Sequence, residues 1–286
     1  MLGSPVVRDY NPREAFQSNA VSRGEDNKTL SHKETTMTDS VVAAGREDAA
    51  GLSEVERVVD VFVAPSKTFT DILRSSKWWL PFVLMVMVTL GVTVVVDKQV
   101  GFARVAENQI HQSPKQEEAL NNLTPEQRAQ RLEGMSKGYR YTSYASFVFI
   151  LMFVAIGALL YWASFNFGLG ARTTYGQMFA VWMYASLPRL LTGLLTIVTL
   201  MFGGNADAYD MKNPVGTNPA YFMPDASAGI KAALSFFDVI GIWVLVLLII
   251  GTAIVAKVPK GKAAMVVVGW WVVGLLISVG IAVATS

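Results

Sequence analysis

The chain has 286 residues, 52% hydrophobic and 16% charged, with a mean hydropathy of +0.38 and a formal charge of +2. Soluble domains carry roughly 25% charged residues, so this composition excludes an ordinary water-soluble globule, and the small net charge gives no footing for nucleic acid. Cysteine is absent, which removes disulfides, thiolate nucleophiles and Cys-ligated zinc or iron–sulfur centres; His32 and His111 lie outside every apolar run.

Residues 1–50 are polar, mixed in charge and without periodicity. Such a segment buries too little apolar surface to offset its ordering entropy, and a disordered tail over 1–52 is expected. Met37 opens MTDSVVAAG and offers an alternative start, and the first 20 residues hold no apolar core of a cleavable signal peptide.

Order is expected from Ser53, where Ser53-Glu54-Val55-Glu56 fits a capping box. Val55, Val58, Val59 and Phe62 then recur at helical spacing, and Pro65 ends that helix. A second helix is predicted with Ser66 or Thr68 as its cap, Thr68 and Asp71 being spaced like another box. Its apolar stripe is Phe69, Ile72 and Leu73, with Lys67, Arg74 and Lys77 off the stripe, and Trp78 and Trp79 follow. Tryptophan collects at membrane–water boundaries, so Pro65, Lys67, Phe69, Ile72, Leu73, Trp78 and Trp79 are read as an interfacial segment rather than a soluble hairpin. In that reading Phe69, Ile72 and Leu73 enter the headgroup boundary, and Pro81 sits in the first turn of a span.

Uncharged runs occupy 78–96, 141–171, 173–188, 190–206, 239–256 and 263–286. About 20 apolar residues cross a bilayer as helix, and the runs flanking Arg189 join into one span. Five spans result, near 79–96, 143–165, 177–202, 236–256 and 263–284.

Residues 97–142 separate the first two spans, and Ser113-Pro114 and Thr124-Pro125 each place a cap and a first-turn proline ahead of a glutamine. With Phe102, Val105, Ala106 and Ile110 on one stretch and Ala129, Leu132, Met135 and Tyr139 on another, this reads as a projecting helical hairpin that continues the first span. The connection from Gly203 to about Leu234 is rich in proline, glycine and asparagine and is expected to be irregular. The fold class is therefore all-α: a polytopic membrane bundle of five transmembrane helices with an amphipathic interfacial N-terminal segment and an extracytoplasmic helical hairpin.

Positive charge in short loops marks the cytoplasmic side. Lys257, Lys260 and Lys262, Arg172, and the group Lys67, Arg74 and Lys77 share a side if the N-terminus is inside and the C-terminus outside. The segment 97–140 carries seven Lys or Arg but also six acidic residues, and is long enough to fold as a unit.

Within the spans the polar candidates are few. Arg189 follows Pro188 in the third span, and Asp238 opens the fourth. An intramembrane arginine costs from about 2.5 to over 10 kcal/mol by different measures and is a functional candidate by default. The bland reading is that it pairs with Asp238 or with carbonyls, the Tyr184 carbonyl freed by Pro188 among them, or snorkels from a span that begins later. No HExxH, GxSxG or P-loop pattern occurs, so no catalytic, cofactor-binding or metal-binding residues are expected. Gly157, Gly241, Gly251, Gly269, Gly274 and Gly280 read as helix-packing sites.

Four stretches, 61–81 (VFVAPSKTFTDILRSSKWWLP), 173–191 (TTYGQMFAVWMYASLPRLL), 213–223 (NPVGTNPAYFM) and 237–268, resemble in order and spacing a bacterial Yip1-domain membrane protein. The resemblance covers most of 55–286 and implies a membrane domain over 53–286 with five helices, a cytoplasmic N-terminus and no catalysis. Eukaryotic relatives act in vesicle trafficking and contact Rab-type GTPases and one another. The family's third span commonly has the proline; the arginine at 189 is not carried over from it. The expected function is that of a non-enzymatic multi-pass protein of a bacterial cytoplasmic membrane. Its expected partners are the lipid bilayer and membrane proteins or a second copy of itself, with no nucleic acid and no identifiable small-molecule substrate. The alternative is a component of a small-solute or ion transporter or channel with Arg189 at an intramembrane polar site.

Overall fold

The computed structural model describes residues 51–203 and 206–285, and the readings of the N-terminal tail, its start and its leader lie outside the described residues. From Leu52 the chain forms one compact unit. It is built of helices, with no strand among the described residues.

The helices are α1 (Glu54–Val63), α2 (Pro65–Ile72), α3 (Trp79–Gln99), α4 (Phe102–His111), α5 (Pro114–Asn121) and α6 (Pro125–Tyr144). They continue with α7 (Ser146–Ala163), α8 (Tyr175–Ala185), α9 (Arg189–Phe202), α10 (Ala228–Ser235), α11 (Val239–Ala256) and α12 (Lys260–Thr285). Five elements are long and apolar enough to span a bilayer: Trp79–Gln99, Ser146–Gly168, Tyr175–Phe202, Val239–Ala256 and Lys260–Thr285. The protein is a multi-pass membrane protein.

Local signals account for most boundaries. Ser53 and Glu56 form the reciprocal box at the start of α1, and Thr124 and Gln127 form one at α6. Ser113 does precede the first-turn proline of α5, but its hydroxyl donates to the Thr285 carbonyl (3.1 Å) instead of capping its own helix. Pro65 opens α2, earlier than Ser66 or Thr68, because a proline's missing N–H costs nothing at the first helical position. Thr68 then faces inward and donates to the Arg57 carbonyl at 2.9 Å.

The first span does not run on unbroken. Gly101 adopts φ +80°, a conformation that L side chains resist, and the chain re-enters helix as α4. Phe102, Val105, Ala106 and Ile110 are buried as expected, with α4 packed along α6. Arg140 and Tyr144 at the end of α6 both reach Asp97 at the end of α3, at 3.0 and 3.2 Å.

The connection after the third span contains more helix than its composition suggested. α10 packs along α12, with Gly229 against Val283 and Phe236 against Trp271 and Gly274. The segment read as irregular thus ends in a short helix, and the fourth span, read from 236, starts at Val239 after a break at Phe236–Asp238.

The core lies where α2, α8 and α11 meet. Phe69 and Ile72 have no exposed surface. A Cβ added at Gly251 of α11 would come within 2.8 Å of both Phe69 and Val181, so the glycine is what lets α2 and α8 approach α11. This corrects the lipid-facing reading of Phe69 and Ile72: their stripe packs on a helix of the same chain. Leu73 and Trp79 remain exposed, and Trp78 packs edge-on against Phe82 and Phe179. Lys67 is exposed, and Pro65 is half-buried.

Arg57 is enclosed by the same arrangement, 1% exposed. It forms an ion pair with Asp71 and donates to the Ser75 carbonyl at 2.9 Å, while the Tyr184 hydroxyl donates to Glu54 at 2.9 Å. Burial alone would raise the Asp71 carboxyl, but hydrogen bonds from Arg74 and Arg57, with their charges, outweigh it and hold its pKa below the ordinary 3.8.

Candidate functional site

Spans two to five line an open cavity of about 610 Å³. Each wall is one helical face. α7 contributes Phe153, Ile156, Gly157, Leu160 and Tyr161; α11 contributes Gly241, Val244, Leu245 and Leu248; α12 contributes Trp270, Trp271, Gly274 and Ile277. Trp182 of α8 lies edge-on to Phe153 and against Tyr161. Its ring is so close to α7 that a Cβ at Gly157 would fall 2.5 Å from it. The Trp182 indole N–H is buried without an acceptor among the described residues.

One end of the cavity is polar. Arg189 and Thr192 line it from α9, Ser235 from the end of α10, Asp238 from the break before α11, and Lys212, Asn213, Thr217 and Asn218 from the connecting loop. That loop is ordered by its own bonds. Asn213 accepts from Ser235 at 2.9 Å and donates to Asp210 at 3.2 Å, and the Val239 N–H donates to the Thr217 carbonyl at 3.0 Å. Asn213 and Pro214 also line a second, more polar cavity of about 520 Å³ that includes Asn108, His111, Asp210 and Lys231. The loop therefore stands between the intramembrane cavity and a polar chamber on the hairpin side.

Pro188 does what its chemistry requires. The third span breaks over 186–188, and α9 restarts at Arg189. The carbonyl of Tyr184 is taken by the Leu187 N–H at 3.1 Å, so the arginine is not needed there, contrary to the bland reading. Arg189 and Asp238 are brought to the same cavity but form no ion pair. Asp238 caps α11 instead, accepting from the Gly241 N–H at 2.7 Å and from the Thr217 hydroxyl. Among the described residues the Arg189 guanidinium has no ion pair and no hydrogen bond. Two broken helices facing one cavity, with an unpaired cation on one break, is the arrangement that the site consists of.

Of the six glycines read as packing sites, Gly157 and Gly251 are in tight contact, Gly241 receives the Asp238 cap and Gly274 makes ordinary contact with Phe236. Gly269 and Gly280 have nothing within 4 Å. Gly193, against Val88 at 2.6 Å, is the close approach between the first and third spans that no motif announced. Lys212, Thr217 and the tryptophans Trp182, Trp270 and Trp271 were missed as site residues; the NPVGTNP loop was conspicuous, but nothing local showed that it turns back onto the spans. No group of three or more His, Asp or Glu suited to a metal occurs among the described residues.

The fold and cavity define an all-helical, multi-pass membrane protein whose third span is broken at a proline. The chain belongs to the Yip1 family: the Yip1 domain matches residues 59–281. That family is one of membrane proteins not known as enzymes. No curated protein and no solved structure matches the chain.

Proposed function

We propose that this Yip1-family protein is a non-enzymatic component of a bacterial cytoplasmic membrane that works by holding bilayer constituents and membrane-protein partners, not by transforming them. The observation that carries this reading is the composition of the cavity. It offers one free guanidinium, one amine, a carboxylate already committed to capping α11, and walls of aromatic and aliphatic side chains. Such equipment holds a polar head and an apolar body; general acid–base work would need titratable groups converging on one reacting point, and the one carboxylate is engaged as a helix cap. Purification with a C-terminal tag from native membranes tests it: a co-purifying amphiphile or protein partner supports the reading, and a lone protein carrying only a water-soluble solute sinks it.

The transport reading has one specific observation in its favour, the pair of broken helices around a polar point. It is decided by Arg189→Leu. Loss of a solute flux from a stably folded variant favours transport, whereas unchanged flux with lost partner or amphiphile favours holding.

The proposed orientation places α1 and α2 inside with Arg172, Lys257, Lys260 and Lys262, and the hairpin outside. Since cysteine is absent, single cysteines at Ser136 and Gly261 report it directly. Labelling by an impermeant maleimide is expected at 136 and not at 261, and the reverse pattern overturns the orientation.

A further inference from the structure

The cavity's charge, walls and opening together specify what it holds. Resting on the holding reading above, we infer that the cavity is a binding site for a singly charged anionic amphiphile, its acidic head on Arg189 and Lys212 and one acyl chain against Trp182 and Trp271.

The head is defined by charge. Arg189 and the exposed Lys212 are the two cationic residues that line the polar end, and Asp238 is the one anionic residue, already engaged by the Thr217 hydroxyl and the Gly241 N–H. One positive charge is left over. The Arg189 guanidinium, exposed toward the cavity, has five N–H donors in a planar fork and, like the Lys212 ammonium, no ion pair or hydrogen bond among the described residues. An oxyanion bearing one charge, such as a phosphodiester or a carboxylate, neutralises the site and accepts from that fork. A zwitterionic head would bring an ammonium into a site that has no free carboxylate for it.

The chain is defined by the walls and by the way in. Below the polar end the lining is aromatic and aliphatic, and about 610 Å³ lies within the roughly 300–1,000 Å³ of small-molecule sites. Spans two and five are joined toward the α1 side by the Trp270 indole donating to the Ser164 hydroxyl at 2.9 Å. Toward the hairpin side, Phe153 and Ile156 on one span and Val273 and Ile277 on the other line the cavity and keep large exposed surfaces. The cavity is not closed, and these four exposed apolar side chains mark the gap between the two spans as the way by which a chain would enter from the bilayer. A water-soluble anion would need the charged end alone and would leave the aromatic wall without an occupant.

Native mass spectrometry of the full-length protein, released from a nonionic detergent after equilibration with each probe, tests the inference. The probes are a monounsaturated phosphatidylglycerol, the phosphatidylcholine with the same chains, oleate and inorganic phosphate. One phosphatidylglycerol or one oleate is expected to be retained at least about tenfold over phosphatidylcholine, as a charge-assisted pair would give. Whichever is retained identifies the source of the acid. Arg189→Gln and Lys212→Gln are expected to abolish that preference, and Arg189→Lys to restore part of it. Ile277→Trp, which narrows the opening and leaves both cations in place, is expected to reduce retention, and it keeps the test valid if Arg189→Gln fails to fold. Equal retention of phosphatidylcholine, unchanged by Arg189→Gln and Lys212→Gln in folded protein, overturns the anionic assignment while the holding reading stands. Binding of phosphate with no lipid or oleate overturns the amphiphile. Retention of no probe, with the protein folded, overturns this inference; the holding reading then fails only if native purification also yields neither amphiphile nor partner.

Discussion

Arg57 and Arg189 are the same side chain in two differently finished settings. Arg57, near the α1 side, is enclosed by Asp71, the Ser75 carbonyl and Glu54, all from within 20 residues of it in the chain. Arg189, inside the third span, is exposed toward a cavity, and its side chain has no ion pair and no hydrogen bond among the described residues. A charge removed from water must be compensated, and the compensation is supplied either by the chain or from outside it. Where the chain supplies it, the arginine is part of the architecture. Where the chain withholds it, the site is built for something else.

The contrast breaks most sharply if Arg57→Met leaves stability intact. Removing one member of a buried pair costs about 3–5 kcal/mol, and the lower end is expected because Arg74 stays on Asp71 at 2.8 Å. Thermal unfolding in detergent, followed by helix content, measures it. Arg189→Gln in the same assay is expected to leave stability nearly unchanged, since it removes a side chain that makes no ion pair or hydrogen bond within the chain. Equal losses from the two variants would erase the distinction.

Two glycines sharpen the same comparison through packing. Gly251→Ala pushes a methyl to 2.8 Å from Phe69 and Val181, in the saturated core, and is expected to cost about 1–3 kcal/mol. Gly157→Ala acts beside the cavity, where the Trp182 ring has room on one side. A smaller loss with a shifted tryptophan emission is expected there, and an equal loss would mean that the cavity end is as tightly packed as the core.

Acid should affect the Arg57 end. The Asp71 carboxyl is held below 3.8 in the folded protein, so its contribution is complete above that value and is lost as pH falls through the folded-state pKa. Unfolding midpoints are therefore expected to drop below about pH 4, and Asp71→Asn to flatten that part of the profile. The smallest effect is at Lys257, which ends α11 in the left-handed region at φ 53°. Lys257→Gly is expected to gain about 1 kcal/mol in the same unfolding assay, because only glycine enters that region without strain.

Much of the architecture was legible because bilayer thickness acts on length and apolarity alone. Spans read near 79–96 and 177–202 are found at Trp79–Gln99 and Tyr175–Phe202. The boxes at Ser53 and Thr124 were legible for the same reason: their partners are three residues away. The stripe of Phe69 and Ile72 was legible as a stripe, but its partner was not, since an apolar face looks the same whether lipid or Gly251 covers it. Arg57 gave less warning still. It shares a helix face with Val61, and that spacing was the one signal that it points inward.

The site divides along the same line. Pro188, Arg189 and Asp238 stood out because proline and charge are rare in apolar runs. The expected pairing of Arg189 with Asp238 did not follow, because the Thr217 loop and the Gly241 N–H engage the carboxylate first. Sequence by itself determined which segments cross the membrane and where the third one breaks, since both follow from hydrocarbon thickness and the geometry of a single residue. Only the tertiary structure decided that one arginine is satisfied and the other is left facing a cavity. Satisfaction depends on which groups the fold brings within hydrogen-bond distance, and those groups come from α2, α11 and a loop remote in the chain.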